Sequence, residues 1–144
     1  LKEARPVKRF SVRFKTPCFF KAKRRFVPLP DPALMLGNLV RLWAAFSGKP
    51  TSTTGFLRWV KSGGMAVSGF PSGIRTVRLH GQTGVWAVGF VGTVNFSLPD
   101  DTYSKRYARI ADALLRFAEY SNVGGNRTAG FGMVEYRPVE YLEE

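Results

Sequence analysis

Cysteine and histidine are almost missing from this chain of 144 residues: Cys18 and His80 occur once each. One cysteine forbids a disulfide within the chain, and one of each forbids a zinc cluster. Acidic charge is scarce as well. Ten carboxylates face 22 Lys and Arg, and Glu135, Glu140, Glu143 and Glu144 are all in the last ten residues. Hard cations need clustered oxygen ligands, so no metal site and no cofactor are expected. Long apolar runs are lacking: none approaches the ~20 residues that span a bilayer. No secretory signal pattern is present either. The expectation is a cytoplasmic protein with no membrane partner.

What is present is basic charge and aromatic bulk. A formal charge of +12 biases the partners towards polyanions, RNA and DNA among them. The apolar content is enough for one core, and the length fits a single domain over 1–144. The chain opens on Leu1 and not on Met, which raises the expectation of a part upstream.

Phe10, Val12 and Phe14 alternate with Arg9, Ser11, Arg13 and Lys15, the period of a strand with one buried and one basic face. That basic face is either solvated or RNA-facing. Asp31 before Pro32 marks a helix start, and Leu36, Leu39, Val40, Trp43 and Phe46 recur at helical spacing until Gly48 and Pro50. Thr51–Thr54 is a loop signal, and the following GFLRWV a candidate for a short extra element. MAVSGF (65–70) and IRTVRL (74–79) look like one strand broken at Pro71–Gly73. Gly81–Gly84 is a turn. Trp86, Val88, Phe90, Val94, Phe96 and Leu98 then line one face of a long strand. Gly92 leaves a gap on that face where another backbone can pack.

Asp100 and Asp101 read as helix-start residues for a second helix over 103–120. Its inner stripe is Tyr107, Ile110, Ala111, Leu114, Phe117 and Ala118. The order strand, helix, two strands, helix, strand predicts an α+β, ferredoxin-like (split βαβ) fold. Four antiparallel strands would carry both helices on one face.

Between the second helix and the final strand lies SNVGGNRTAGFG, residues 121–132. It follows a helix, so it is neither a P-loop nor a dinucleotide fingerprint, both of which present phosphate to a helix N-terminus. On its own residues it supports two readings. Glycines admit close backbone approach, with anion attraction supplied by a nest of N–H groups and by Arg127. Alternatively Gly124 is a left-handed helix cap, and Gly130 and Gly132 allow tight packing of the last strand. A second basic motif, KAKRRF, holds Lys21, Lys23, Arg24 and Arg25. It is either a solvated charge run or a phosphate grip.

VGFVGTVNFSL (88–98) followed by LLRFAEYSNVGGNRTAGFGMV (114–134) resembles the C-terminal domain of the CRISPR-associated endoribonucleases that process CRISPR precursor RNA, in the repeat-associated mysterious protein superfamily. VRFKTPCFF, the proline-framed helix start and VSGF…RTVRL fit the same domain. The resemblance implies metal-independent cleavage of repeat RNA, with the ribose 2′-OH attacking the adjacent phosphorus. It implies two tandem ferredoxin-like domains, the catalytic residues lying mostly in the first. This chain would then be the C-terminal half, with catalysis outside it. Its partners would be CRISPR repeat RNA, the missing N-terminal domain and CRISPR effector complex subunits. RNA binding is carried over to Gly124, Gly125, Asn126, Arg127, Thr128, Gly130 and Gly132. The competing reading is a noncatalytic RNA-binding or scaffold subunit of a CRISPR ribonucleoprotein complex. His80 lacks a partner at motif spacing and reads as a surface histidine. Cys18 lacks the His or Asn of a thiol nucleophile.

Overall fold

The computed structural model describes residues 3–48 and 54–142. Pro50 and most of the Thr51–Thr54 loop signal lie outside them. The alternating segment forms β1 (Val7–Cys18), with Phe10, Val12 and Phe14 buried and Arg9, Arg13 and Lys15 exposed. A small hairpin follows, β2 (Phe20–Ala22) with β3 (Arg25–Val27). Helix α1 (Pro32–Ser47) starts as the sequence predicts: the Asp31 carboxylate accepts from the N–H groups of Ala33 (2.8 Å) and Leu34 (3.3 Å). Gly48 closes it in the left-handed region, at φ 69°. The extra element exists as a short helix, α2 (Thr54–Trp59), running into a π-helical turn over Val60–Gly64.

Strands β4 (Ala66–Gly69) and β5 (Ile74–Gly81) pair with successive stretches of the long β6 (Gly84–Ser97) on the same edge. They are the broken strand expected at Pro71–Gly73. The break fits against Gly92, where an added Cβ would stand 2.8 Å from the Gly73 carbonyl oxygen. Helix α3 (Lys105–Ser121) and β7 (Val134–Tyr141) complete the chain. All pairings of the main sheet are antiparallel, and β6 and β7 flank β1. The strand positions thus run β4/β5, β6, β1, β7, the ferredoxin-like order, with the first position shared by two strands. Pro138 is tolerated because β7 is an edge strand. One core joins Phe10, Val12, Phe14, Phe90, Val94 and Phe96 of the sheet to α1 and α3.

Three expectations need correction. Asp100 and Asp101 do not start α3. They form a separate 3₁₀ turn, Asp100–Thr102, in which Asp100 pairs with Lys8. The helix is capped instead by Ser104, whose Oγ accepts from the Tyr107 N–H at 3.2 Å. The buried stripe of α3 is rotated from the expected one: Ala108, Ala111, Asp112, Leu114, Leu115 and Ala118 are buried, while Tyr107, Ile110 and Phe117 are partly exposed. A carboxylate at Asp112 disguised the true face. It is fully buried because three donors satisfy it: the Arg5 N–H (2.9 Å), the Tyr136 hydroxyl (2.6 Å) and Arg116 Nε (3.0 Å). Thirdly, Trp86 is 40% exposed and not on the core face. Leu79 pairs with Ala87 and His80 with Val85, so Trp86 is the extra residue of a β-bulge. A bulge re-aims its side chain and breaks the alternation on which the expectation rested.

Candidate nucleic-acid interface

The basic motif KAKRRF is a hairpin. Ala22 pairs with Arg25, leaving Lys23 and Arg24 as a two-residue turn. Both have positive φ, 54° and 89°. Two-residue turns favour such angles because they match strand twist, and Asn-Gly supplies them at least cost. Lys and Arg at these angles are strained by about 1 kcal/mol each. The turn holds two exposed cations at the tip of the hairpin. Lys21, Lys23, Arg24 and Arg25 are all exposed. Lys21 Nζ lies 5.2 Å from the centroid of the Phe26 ring, a cation–π distance.

The glycine loop approaches its own chain. An added Cβ would stand 1.8 Å from the Val123 carbonyl oxygen at Gly132 and 2.4 Å from the Phe19 carbonyl oxygen at Gly124. At Gly125 it would stand 2.5 Å from the Phe19 ring. The N–H groups are used internally too. Gly124 donates to Asn38 Oδ1 (2.9 Å), Gly125 to the Phe19 carbonyl (3.0 Å), Gly130 to that of Arg127 (3.0 Å) and Gly132 to that of Pro17 (2.9 Å). The expected nest of donated N–H groups is therefore not offered by the glycines. Nor is Gly124 the helix cap: Asn122, at φ 61°, ends α3. Arg127 Nη1 donates to the Ser121 carbonyl at 3.3 Å, placing a cation on the negative end of the helix. Gly124 and Gly132 are buried, Gly125, Arg127 and Gly130 are half-buried, and Asn126 and Thr128 are exposed.

Folding brings the two motifs together. Lys21 and Phe20 from the hairpin, Gly124 and Gly125 from the loop, and Leu34, Asn38 and Arg41 from α1 line one cleft of about 150 Å³. Two cations and no carboxylate are among those residues. Asn38 fixes the loop by accepting from Gly124, so the α1 surface, the loop and the hairpin form one unit. Sequence reasoning missed Arg41. On an amphipathic helix it reads as an ordinary solvated residue, and only the fold brings it into one cleft with Lys21. The solvated or RNA-facing side of β1 carries a second, wider depression of about 520 Å³, where Arg13, Lys15 and Arg75 gather over Gly92. Arg9 is engaged with Glu140 at 2.7 Å.

The other candidates fall away from this unit. Burial pushes the Cys18 thiol far above its ordinary value, which disfavours the thiolate that a nucleophile needs. His80 is exposed near the β5–β6 turn, opposite Val85. Tyr136 is held protonated by burial and by its bond to Asp112. No described helix is long and apolar enough to cross a membrane.

Residues 12–134 match the model of the CRISPR-associated endoribonuclease Cas6 family. The chain belongs to that family. The match contains every candidate residue from Lys21 to Gly132. A CRISPR-associated endoribonuclease Cas6 of Mycobacterium tuberculosis is 28% identical over 147 aligned positions, covering 98% of this chain and 43% of the relative. Thermus thermophilus Cas6 superposes with a TM-score of 0.81 at 29% identity, covering 94% of this chain and 55% of that one. A Cas6 product complex gives 0.75 at 31% identity, covering 94% and 52%. The chain thus spans about half the length of the Cas6 proteins it matches.

Proposed function

We propose that this chain is the RNA-binding C-terminal half of a Cas6 endoribonuclease that cleaves CRISPR repeat precursor RNA. The observation that carries the reading is the cationic cleft, which Lys21, Arg41 and the loop glycines Gly124 and Gly125 line together. The phosphate backbone supplies most of the affinity in such an interface, and cations position the strand without reading bases. In this reading Asn126, Arg127 and Thr128 contact RNA directly. Gly124, Gly125, Gly130 and Gly132 act by shaping the surface on which it lies. Solved Cas6 structures similar to this chain include a substrate-mimic complex and a product complex, which is consistent with that role.

The chemistry proposed for the whole protein needs no metal. The ribose 2′-oxygen bonds to the adjacent phosphorus as a base takes its proton. The bond from phosphorus to the 5′-oxygen breaks, and an acid protonates that oxygen. The products are a cyclic phosphate and a 5′-OH. The described residues supply cations that can offset charge on the phosphorane. The base and acid belong to the other half of the protein, and that half, the repeat RNA and CRISPR effector subunits are the proposed partners. The competing reading, a noncatalytic subunit of a CRISPR ribonucleoprotein, uses the same surface.

The test is Lys21→Ala with Arg41→Ala. The double variant should bind repeat RNA at least about tenfold more weakly at low salt, with the slope of log affinity against log salt lowered by about 0.7 for each lost contact on a single strand. Both side chains are exposed, so the unfolding midpoint should hold. Unaltered affinity and slope would remove the cleft from the interface.

A further inference from the structure

The bulge that turns Trp86 out of the core places its indole beside the cationic hairpin. Its ring centroid is 5.8 Å from Phe19, 6.5 Å from Phe26 and 6.2 Å from Phe131. Phe19 is buried and closes a small cluster with Leu79 and Ala87. Phe26 and Trp86 are the outward members, 39% and 40% exposed. Tryptophan is rarely fully buried, but here two rings, Trp86 and Phe26, share one exposed aromatic patch.

The hairpin beside the pair is cationic. Phe26 faces Lys21 across the hairpin and follows Arg25 in sequence. Residues 20–27 contain no carboxylate, and the Gly81–Gly84 turn has no charge at all. A flat apolar face beside a cationic hairpin is the combination that holds single-stranded nucleic acid: cations take the phosphates, and the aromatic face takes a base. A protein surface of opposite charge would satisfy the cations but not the planar indole.

We propose that Trp86, flanked by Phe26, is a stacking platform for an unpaired base of the RNA strand gripped by the β2–β3 hairpin. This rests on the RNA-binding reading above and adds a contact that depends on bases, not on phosphate. The preference would be for single-stranded over fully paired segments, because a base within a duplex has no free face to stack.

The experiment compares the parent chain with Trp86→Ala and Trp86→Phe. The probes are a short single-stranded oligoribonucleotide, an abasic oligomer of the same length, and inorganic polyphosphate. Trp86→Ala should weaken the oligoribonucleotide roughly 5- to 150-fold, the worth of one stacked base. The abasic oligomer and polyphosphate should change by less than about twofold. Trp86→Phe should retain much of the affinity, since a smaller aromatic face remains. Tryptophan fluorescence of the parent should be quenched by the oligoribonucleotide and not by polyphosphate, and Trp86→Phe should abolish the quenching. That measurement needs no Ala variant and stands if Trp86→Ala does not fold. Equal losses for all three probes would mean that Trp86 merely holds the hairpin in place, overturning the proposal. Unchanged affinity together with absent quenching would overturn it as well, leaving the cationic reading intact. A parent that binds none of the three would remove the RNA reading and this proposal with it.

Discussion

At Gly132 a methyl group has no room. The added carbon would fall 1.8 Å from the Val123 carbonyl oxygen, and the backbone sits at φ +72°. Gly130 makes the natural comparison: its φ is +90°, but nothing lies within 4 Å of the added carbon. Gly130→Ala should therefore cost only the left-handed backbone, about 1 kcal/mol. Gly132→Ala should cost about 3 kcal/mol, because overpacking against a carbonyl that cannot move aside adds to the same backbone strain. Urea unfolding of both variants reads the difference directly. Similar losses would mean that the loop carbonyl shifts easily and that tight packing is not what the glycines serve. Gly125 belongs with Gly132, since the Phe19 ring occupies the space beside it. A bulky residue at either position reports on folding before it reports on RNA.

Among the elements, the β2–β3 hairpin trades stability for charge placement. Its turn residues, Lys23 and Arg24, hold backbone angles that Asn-Gly would hold more cheaply. Replacing the pair with Asn-Gly should raise unfolding stability by about 1 kcal/mol. The same change should weaken RNA binding and lower the salt slope by up to about 1.4, two single-strand contacts' worth. Opposite signs in the two measurements are the expected result. A variant that gains stability and binds RNA as the parent does would place the turn outside the interface. The hairpin was hard to see in the sequence because its strands have three residues each and its turn lacks the usual Asn, Asp or Gly.

The whole molecule spans about half the length of the Cas6 proteins it matches. It gathers cations on one unit, but its lone histidine lies exposed on the β5–β6 arm and its lone thiol is buried and protonated. Asp112 and Tyr136 are committed to each other and to Arg5 and Arg116. The purified chain should accordingly bind repeat RNA yet leave it uncut, with or without EDTA, as read on a denaturing gel. Specific cleavage that disappears in His80→Ala would assign the missing acid or base to His80 and contradict a division of labour between two halves.

Local physics decided much of this protein in advance. Alternation specified β1, the Asp31–Pro32 signal and Gly48 bounded α1, Pro71–Gly73 broke the edge strand, and the element order implied the sheet topology. Those features depend on steric and hydrogen-bonding rules that act within a few residues. The buried Asp112 escaped notice because its three donors come from the N-terminal segment, its own helix and β7, none of which local spacing connects. The exposed Trp86 escaped because a one-residue bulge, set by pairing with β5, inverts the side on which alternation places it. The cationic cleft likewise needed tertiary structure. Lys21 and Arg41 lie twenty residues apart and the glycine loop over eighty further on, and only the packing of hairpin, helix and loop makes them neighbours. The loop's glycines were legible as a need for close approach. What they approach, the carbonyl oxygen and ring of Phe19 and the loop's own Val123 carbonyl oxygen, is a fact of three dimensions, because long-range contacts bring Phe19 against the loop and the loop folds back on its own start.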